Sequence, residues 1–156
     1  MNNIYLISLC ALPVIVIGTD QYIKYRIMKK WSEREYQKTR TSKVFLRPVI
    51  NTGGFLGFGK RRSKLFFIAI FFVAFALMTW MILMEVLVLG IDSVQVYLLL
   101  ALLSAGVSNT IDRIRHGGVI DYLQIAIGKK FIIVNFADMV IFASGIVYLV
   151  LSVLAP

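Results

Sequence analysis

Cysteine and histidine are almost missing from this 156-residue sequence, and each absence closes a route. One cysteine, Cys10, excludes an internal disulfide framework and any cysteine-based zinc site; it lies in an apolar stretch and reads as a packing residue. The single histidine, His116, stands in a loop before Gly117 and Gly118 and reads as structural or solvated, not catalytic. Charge is scarce as well. Charged residues make up 16% of the chain and apolar ones 59%, against about 25% and about 45–50% in soluble domains. A small globule cannot bury that much apolar surface, so the solvent for much of this chain is a bilayer. Internal repeats and low-complexity segments are also lacking.

The charge present is uneven. Lys and Arg number 17 against 8 Asp and Glu; twelve of the basic residues fall between Arg26 and Lys64, and none occurs from Leu65 through Asp112. Basic loops beside apolar spans meet lipid headgroups or a water interface, so nucleic acid is not an expected partner.

A helix crossing the hydrocarbon layer needs about 20 mostly apolar residues, and four stretches come near that length. The expected fold is a mainly α membrane protein, one integral domain over 1–156, with spans at about 4–23, 65–89, 93–111 and 137–155. Pro13 and Asp20 interrupt the first span. Met1-Asn2-Asn3 provides no basic leader and no small-residue cleavage site follows, so this span reads as a retained anchor. Leu9 before Cys10 argues against the chain being a lipoprotein itself.

Loops 24–64 and 112–136 fall on one side by helix parity, with the short Gly90-Ile91-Asp92 connection opposite. In the first loop Ile27-Met28-Lys29-Lys30-Trp31 looks interfacial, Val44-Phe45-Leu46 is apolar, and Val49-Ile50 reads as a short strand. Phe131-Ile132-Ile133-Val134 in the other loop reads as another, flanked by Gly128 and Asn135. The two loops are therefore expected to form a small sheet.

Acids at the ends or inside of spans cost about 2.5–3.5 kcal/mol each on insertion scales, so they persist for a reason. Asp20, Asp112, Asp121 and Asp138 gather near one membrane face, with Lys24, Asn51, Asn109, Arg113 and Asn135 close to them. Asp20 and Lys24 are four apart, as are Asn109 and Arg113, and Asn135 and Asp138 are three apart, so each pair shares a helix face. An interfacial ion pair accounts for Asp20 with Lys24, and a tied-down helix end accounts equally for Asp112 beside Arg113. Asp121 and Asp138 stand in apolar surroundings without an adjacent cation, which favours a functional role. Two carboxyls held close cannot comfortably both ionise; one keeps its proton while the other acts as a base, the equipment of aspartic proteolysis. The glycines from Gly53 to Gly59 are weak as a phosphate cradle and read as a tight loop that lets backbone approach a substrate or strand.

Taken in order, Asp20-Gln21-Tyr22-Ile23-Lys24, Asn51-Thr52-Gly53-Gly54-Phe55, Asn109-Thr110-Ile111-Asp112-Arg113, Val119-Ile120-Asp121-Tyr122 and Asn135-Phe136-Ala137-Asp138 resemble the motif series of lipoprotein signal peptidase, or signal peptidase II. Any one motif is weak; five in series are specific. The chain departs from the pattern at Ser104-Ala105-Gly106-Val107-Ser108, where the family has a Gly-rich run, and at Gly54-Phe55-Leu56-Gly57, where small residues are common. The resemblance implies an aspartic endopeptidase with Asp121 and Asp138 as its catalytic pair. Asn51, Gly53, Asn109, Arg113 and Asn135 then belong to the substrate site, with Asp20, Lys24 and Asp112 supporting it. It implies cleavage of a diacylglyceryl-modified prolipoprotein on the amino side of the lipidated cysteine, with no metal or organic cofactor, membrane lipids as surroundings, and a monomer.

It also implies a bacterial cell membrane location, both termini in the cytoplasm, and an extracytoplasmic sheet built by the first and third loops. The basic residues conflict with that orientation, because all 17 lie in or beside those loops and the positive-inside rule would place them in the cytoplasm. A small proton-coupled transporter or channel component using the same acids is the alternative. It needs a polar path to the opposite side, and the second and third spans offer little beyond Thr79, Gln95 and Ser104.

Overall fold

A computed structural model describes residues 3–30, 44–53, 64–128 and 130–154. Four helices dominate: α1 (Asn3–Lys30), α2 (Lys64–Leu89), α3 (Val94–His116) and α4 (Phe136–Leu154). All four are long and apolar enough to cross a membrane. Three strands, β1 (Val44–Asn51), β2 (Val119–Ile127) and β3 (Lys130–Val134), make one antiparallel sheet in the order β1-β2-β3. In chain order the sheet strands stand between α1 and α2 and between α3 and α4, and β2 packs on α1 and α3. The tight turn at Gly90–Ser93 closes the opposite end.

The helices run further than the apolar stretches suggest. α1 continues past residue 23 through Lys24 to Lys30, and α3 passes 111 to reach His116, so residues 24–30 and 112–116 are helix and not loop. Backbone hydrogen bonds are indifferent to hydropathy, and basic side chains in a last turn complement the helix dipole: Lys29 and Lys30 in α1, Arg113, Arg115 and His116 in α3. Trp31 and Gly54–Gly59 lie outside the described residues. Both ends of α3 are capped. Ser93 accepts from the Val96 N–H, and Gly117, at φ 75°, turns the chain left-handed while its N–H donates to the Arg113 carbonyl at 3.1 Å.

Val44–Leu46 and Val49–Ile50 are parts of one strand, β1. Its register against β2 shifts between Leu46 and Val49, where Pro48 has no N–H to give to the ladder. The central strand β2 has no counterpart in the sequence reading. Its residues from Val119 to Tyr122 are all buried, on both faces of the pleat, so the alternation that marks a half-exposed strand is missing.

α3 is the axis, with α1, α2 and α4 all packed on it. Ala105 of α3 and Ala137 of α4 are completely buried with Val16 of α1, small side chains that let the backbones approach closely. α2 buries none of its described side chains and shows Phe72, Leu83 and Leu87 outward, as lipid contact requires.

Candidate active site

The acids converge where the sheet meets the helix ends. Asp20 and Lys24, one turn apart on α1, form an ion pair at 2.6 Å, and Lys24 forms a second with Asp112 of α3, also at 2.6 Å. The third hydrogen of the ammonium goes to the side-chain oxygen of Asn109 at 2.9 Å. This cluster is interior to the protein: Asp20 is 0% exposed, Lys24 1% and Asp112 1%. The carboxylates are satisfied from several elements. Asp20 accepts from the Ser108 hydroxyl at 2.6 Å and from the Ala137 N–H in the first turn of α4 at 3.0 Å. Asp112 accepts from Gln21 at 2.8 Å and from the Ile120 N–H of β2 at 3.2 Å. Asp112 therefore pairs with Lys24 and not with its neighbour Arg113, and it ties α1, α3 and the sheet together inside a helix that runs on to His116.

Above this network lie Asp121 and Asp138. Asp121 projects from β2 and accepts from Asn51 of β1 and from Asn135, each at 2.9 Å. Asn135 precedes α4 and caps it: its side-chain oxygen accepts the Asp138 N–H at 2.8 Å, while an Asp138 oxygen accepts the Asn135 N–H at 3.2 Å. That reciprocal exchange is a capping box written with Asn and Asp. The other Asp138 oxygen accepts from Asn109 at 2.9 Å. Asn135 is fully buried, and its amide nitrogen also reaches the Asn109 oxygen at 3.1 Å, so Asn51, Asn135 and Asn109 link both acids to the Lys24 cluster.

Burial raises the Asp121 carboxyl to about 6; hydrogen bonds from Asn51 and Asn135 act the other way, and the charge of Asp138 adds to the rise. Asn51 is held by an Asx turn in which Gly53 N–H donates to its side-chain oxygen at 3.0 Å. The Gly53 carbonyl accepts from Arg113 at 2.8 Å, and the Arg113 guanidinium lies 4.3 Å from the ring centre of Phe67 on α2. Its other terminal nitrogen, Nη1, is buried and has no hydrogen-bond partner among the described residues.

Every site residue expected from the sequence falls in this one constellation. Four contributors were not singled out by sequence: Gln21, Ser108, Tyr122 and Gly118. The Tyr122 hydroxyl accepts the Phe136 N–H at 3.0 Å. Burial, then the charge of Asp20, pushes it up to about 12, so it stays neutral. Gly118 lets β1 come close, since a Cβ there would stand 2.8 Å from the Asn51 carbonyl oxygen. Spacing alone pointed to none of these, because each acts across elements distant in sequence. Among the described residues no group of His, Cys, Asp and Glu is arranged to hold a metal ion.

Comparisons with known proteins agree with the geometry. The family model described as signal peptidase (SPase) II matches residues 12–155. A lipoprotein signal peptidase of Helicobacter acinonychis is 31% identical over 143 residues, 82% of this chain and 75% of that protein. The enzyme of the same name from Wolinella succinogenes is 55% identical over 40 residues, a match that spans 27% of its length. A solved structure described as a bacterial membrane enzyme, determined in meso at 2.3 Å, superposes with a TM-score of 0.80 at 20% identity, covering 94% of this chain and 87% of that one. Another, at 1.9 Å, gives 0.76 at 21% identity, covering 95% and 93%. At such identities the likeness establishes the shared fold. The match over residues 12–155, together with the relative matched over 82% of this chain, means that the chain belongs to the signal peptidase II family.

Proposed function

We propose that this protein is an aspartic endopeptidase that removes the signal peptide from diacylglyceryl-modified prolipoproteins, cutting on the amino side of the lipidated cysteine. The observation that carries the reading is the linkage of Asp121 and Asp138 through Asn135: a buried carboxyl and a half-buried one at one end of a bundle of helices long and apolar enough to cross a membrane. Such a pair shares one proton. The ionised member takes a proton from water as its oxygen attacks the scissile carbonyl. The protonated member stabilises the developing oxyanion by hydrogen bonding. Collapse of the tetrahedral species breaks the C–N bond, the amine nitrogen leaves with a proton, and the pair returns to one proton between two carboxylates.

The surroundings support that chemistry. Arg113 keeps one buried guanidinium nitrogen without a partner among the described residues, suited to a substrate carbonyl, and its guanidinium lies against the Phe67 ring. A lipidated substrate stays in the bilayer, so a site at the end of helices that cross it is reached sideways without extracting acyl chains. On this reading the sheet end lies at the outer leaflet and both termini are cytoplasmic. The basic loops do not decide sidedness, since an outer-leaflet substrate requires an outer site.

The test is cleavage of a diacylglyceryl-modified prolipoprotein by purified protein in detergent, followed as a gel shift. The parent cleaves, a chelator makes no difference, and Asp121→Asn and Asp138→Asn do not cleave. Normal cleavage by both variants would overturn the mechanism.

A further inference from the structure

Glu85 sits 21 residues into α2, about 31 Å along the helix axis from its start at the sheet end. Its Oε1 accepts the Tyr148 hydroxyl of α4 at 2.7 Å. A cavity of about 360 Å³ surrounds the pair, lined also by Trp80, Met84, Gln95 and Ser152. The sequence has no Lys or Arg in 1–23, 65–112 or 131–156, so the charged side chains at this end of the bundle, among the described residues, are Glu85 and Asp92, both acidic. Glu85 is half-buried, and its one hydrogen-bond partner among the described residues is a neutral phenol, which leaves its charge without a cation.

α2 and α4 both pack on α3, and the line between them is the track that runs from this place toward the active site. Along α4, Asp138, Ile141, Gly145, Tyr148 and Ser152 recur at intervals of three and four and so share one face, which packs on the core at Ile141 and on α3 at Gly145, so the track runs beside it. Gly145 faces Leu102 of α3, and Gly106 of α3 faces Phe71 of α2, so α3 forms an apolar floor between α4 and α2. Asp138 stands at one end of the track and Tyr148 with Glu85 at the other. The ten residues from Asp138 to Tyr148 correspond to about 15 Å of helix rise.

A signal peptide has a basic n-region, an apolar core of about 7–15 residues and then its cleavage site. As a helix that core is about 10–22 Å long, which brackets the track. We infer that Glu85, with Tyr148 and Gln95, receives the basic n-region of the substrate's signal peptide, whose apolar helix lies along the track while its scissile bond reaches Asp121 and Asp138. This rests on the peptidase reading above, and it makes Glu85 a specificity determinant remote from the chemistry.

The experiment is steady-state cleavage in phosphatidylcholine nanodiscs of lipidated substrates whose n-region Lys and Arg are kept, neutralised to Gln, or replaced by Glu. With the parent, neutralisation raises KM roughly tenfold and leaves kcat nearly unchanged. Glu85→Gln, close in shape, shows the raised KM and no longer distinguishes the basic from the neutral substrate. Glu85→Lys prefers the acidic n-region, and Tyr148→Phe, which keeps the carboxylate, keeps the preference for the basic one. If E85Q discriminates as strongly as the parent, or E85K shows no reversal, the inference is overturned. It also fails if E85Q differs from the parent only when phosphatidylethanolamine is added, since the occupant is then a lipid amine. A parent that cleaves none of the substrates removes the peptidase reading and this inference together; full cleavage with unaltered n-region dependence removes this inference alone.

Discussion

Lys24 donates to the side-chain oxygen of Asn109 at 2.9 Å, and this bond decides which way the Asn109 amide points. An ammonium has only donors, so the oxygen must face it, and the amide nitrogen is left to donate to Asp138. A residue on α1 thereby sets the polarity of a contact between α3 and α4.

Removing that ammonium leaves Asp20 and Asp112 buried without a cation. Lys24→Met, similar in length, is expected to destabilise the protein by about 3–5 kcal/mol, the cost of breaking a buried ion pair by deleting one partner. Unfolding in detergent measures it. A variant as stable as the parent would mean that the pair of salt bridges contributes little.

Asn51 gives Asp121 one of its two side-chain hydrogen bonds, and such a bond favours the ionised carboxyl. Asn51→Ala should therefore raise the Asp121 carboxyl further above its position near 6 and move the acid limb of the kcat/KM profile to higher pH. A pH series compared with the parent checks the direction; a limb displaced downward contradicts it.

Stability should carry the opposite mark of the same group. Asp121 titrates at about 6 when folded against 3.8 for an ordinary carboxyl, so between those values the folded state holds more protons than the unfolded one. Its contribution is most favourable below about 3.8 and is lost as pH rises through about 6. Relative to Asp121→Asn, the parent's melting temperature should fall between about pH 4 and pH 7. Parallel melting curves across that range would count against a raised carboxyl.

Gly118→Ala introduces a methyl 2.8 Å from the Asn51 carbonyl oxygen and 2.8 Å from Ile50. One of the contacts is backbone, so β1 must shift and carry Asn51 with it. A loss of about 1–3 kcal/mol is expected from the crowding, together with reduced cleavage; thermal melts and the gel-shift assay read the two separately.

Much of this organisation is legible in the residues themselves. Four apolar runs announce four helices, and the spacings of Asp20 with Lys24 and of Asn135 with Asp138 announce contacts found in the structure at 2.6 and 2.8 Å. What hydropathy hides is where helices stop, since Lys24 and Arg113 continue helical turns that apolar counting ends early. β2 is hidden for a different reason. A strand covered on both faces has no period of two, and Asp121 within it looks like an isolated acid in an apolar setting until Asn51 and Asn135 are seen on either side of it. Ser108 and Gln21 satisfy Asp20 and Asp112 across more than 80 residues of chain, a relation that no local pattern encodes.

The capping box at Asn135 and Asp138 has one more implication. On the proposed mechanism these two residues both begin α4 and hold a reacting carboxyl, so fraying of that first turn and loss of cleavage are a single event. Heat inactivation should therefore run ahead of global melting, because the enzyme falls silent as soon as one helix terminus comes undone, while the rest of the bundle is still intact.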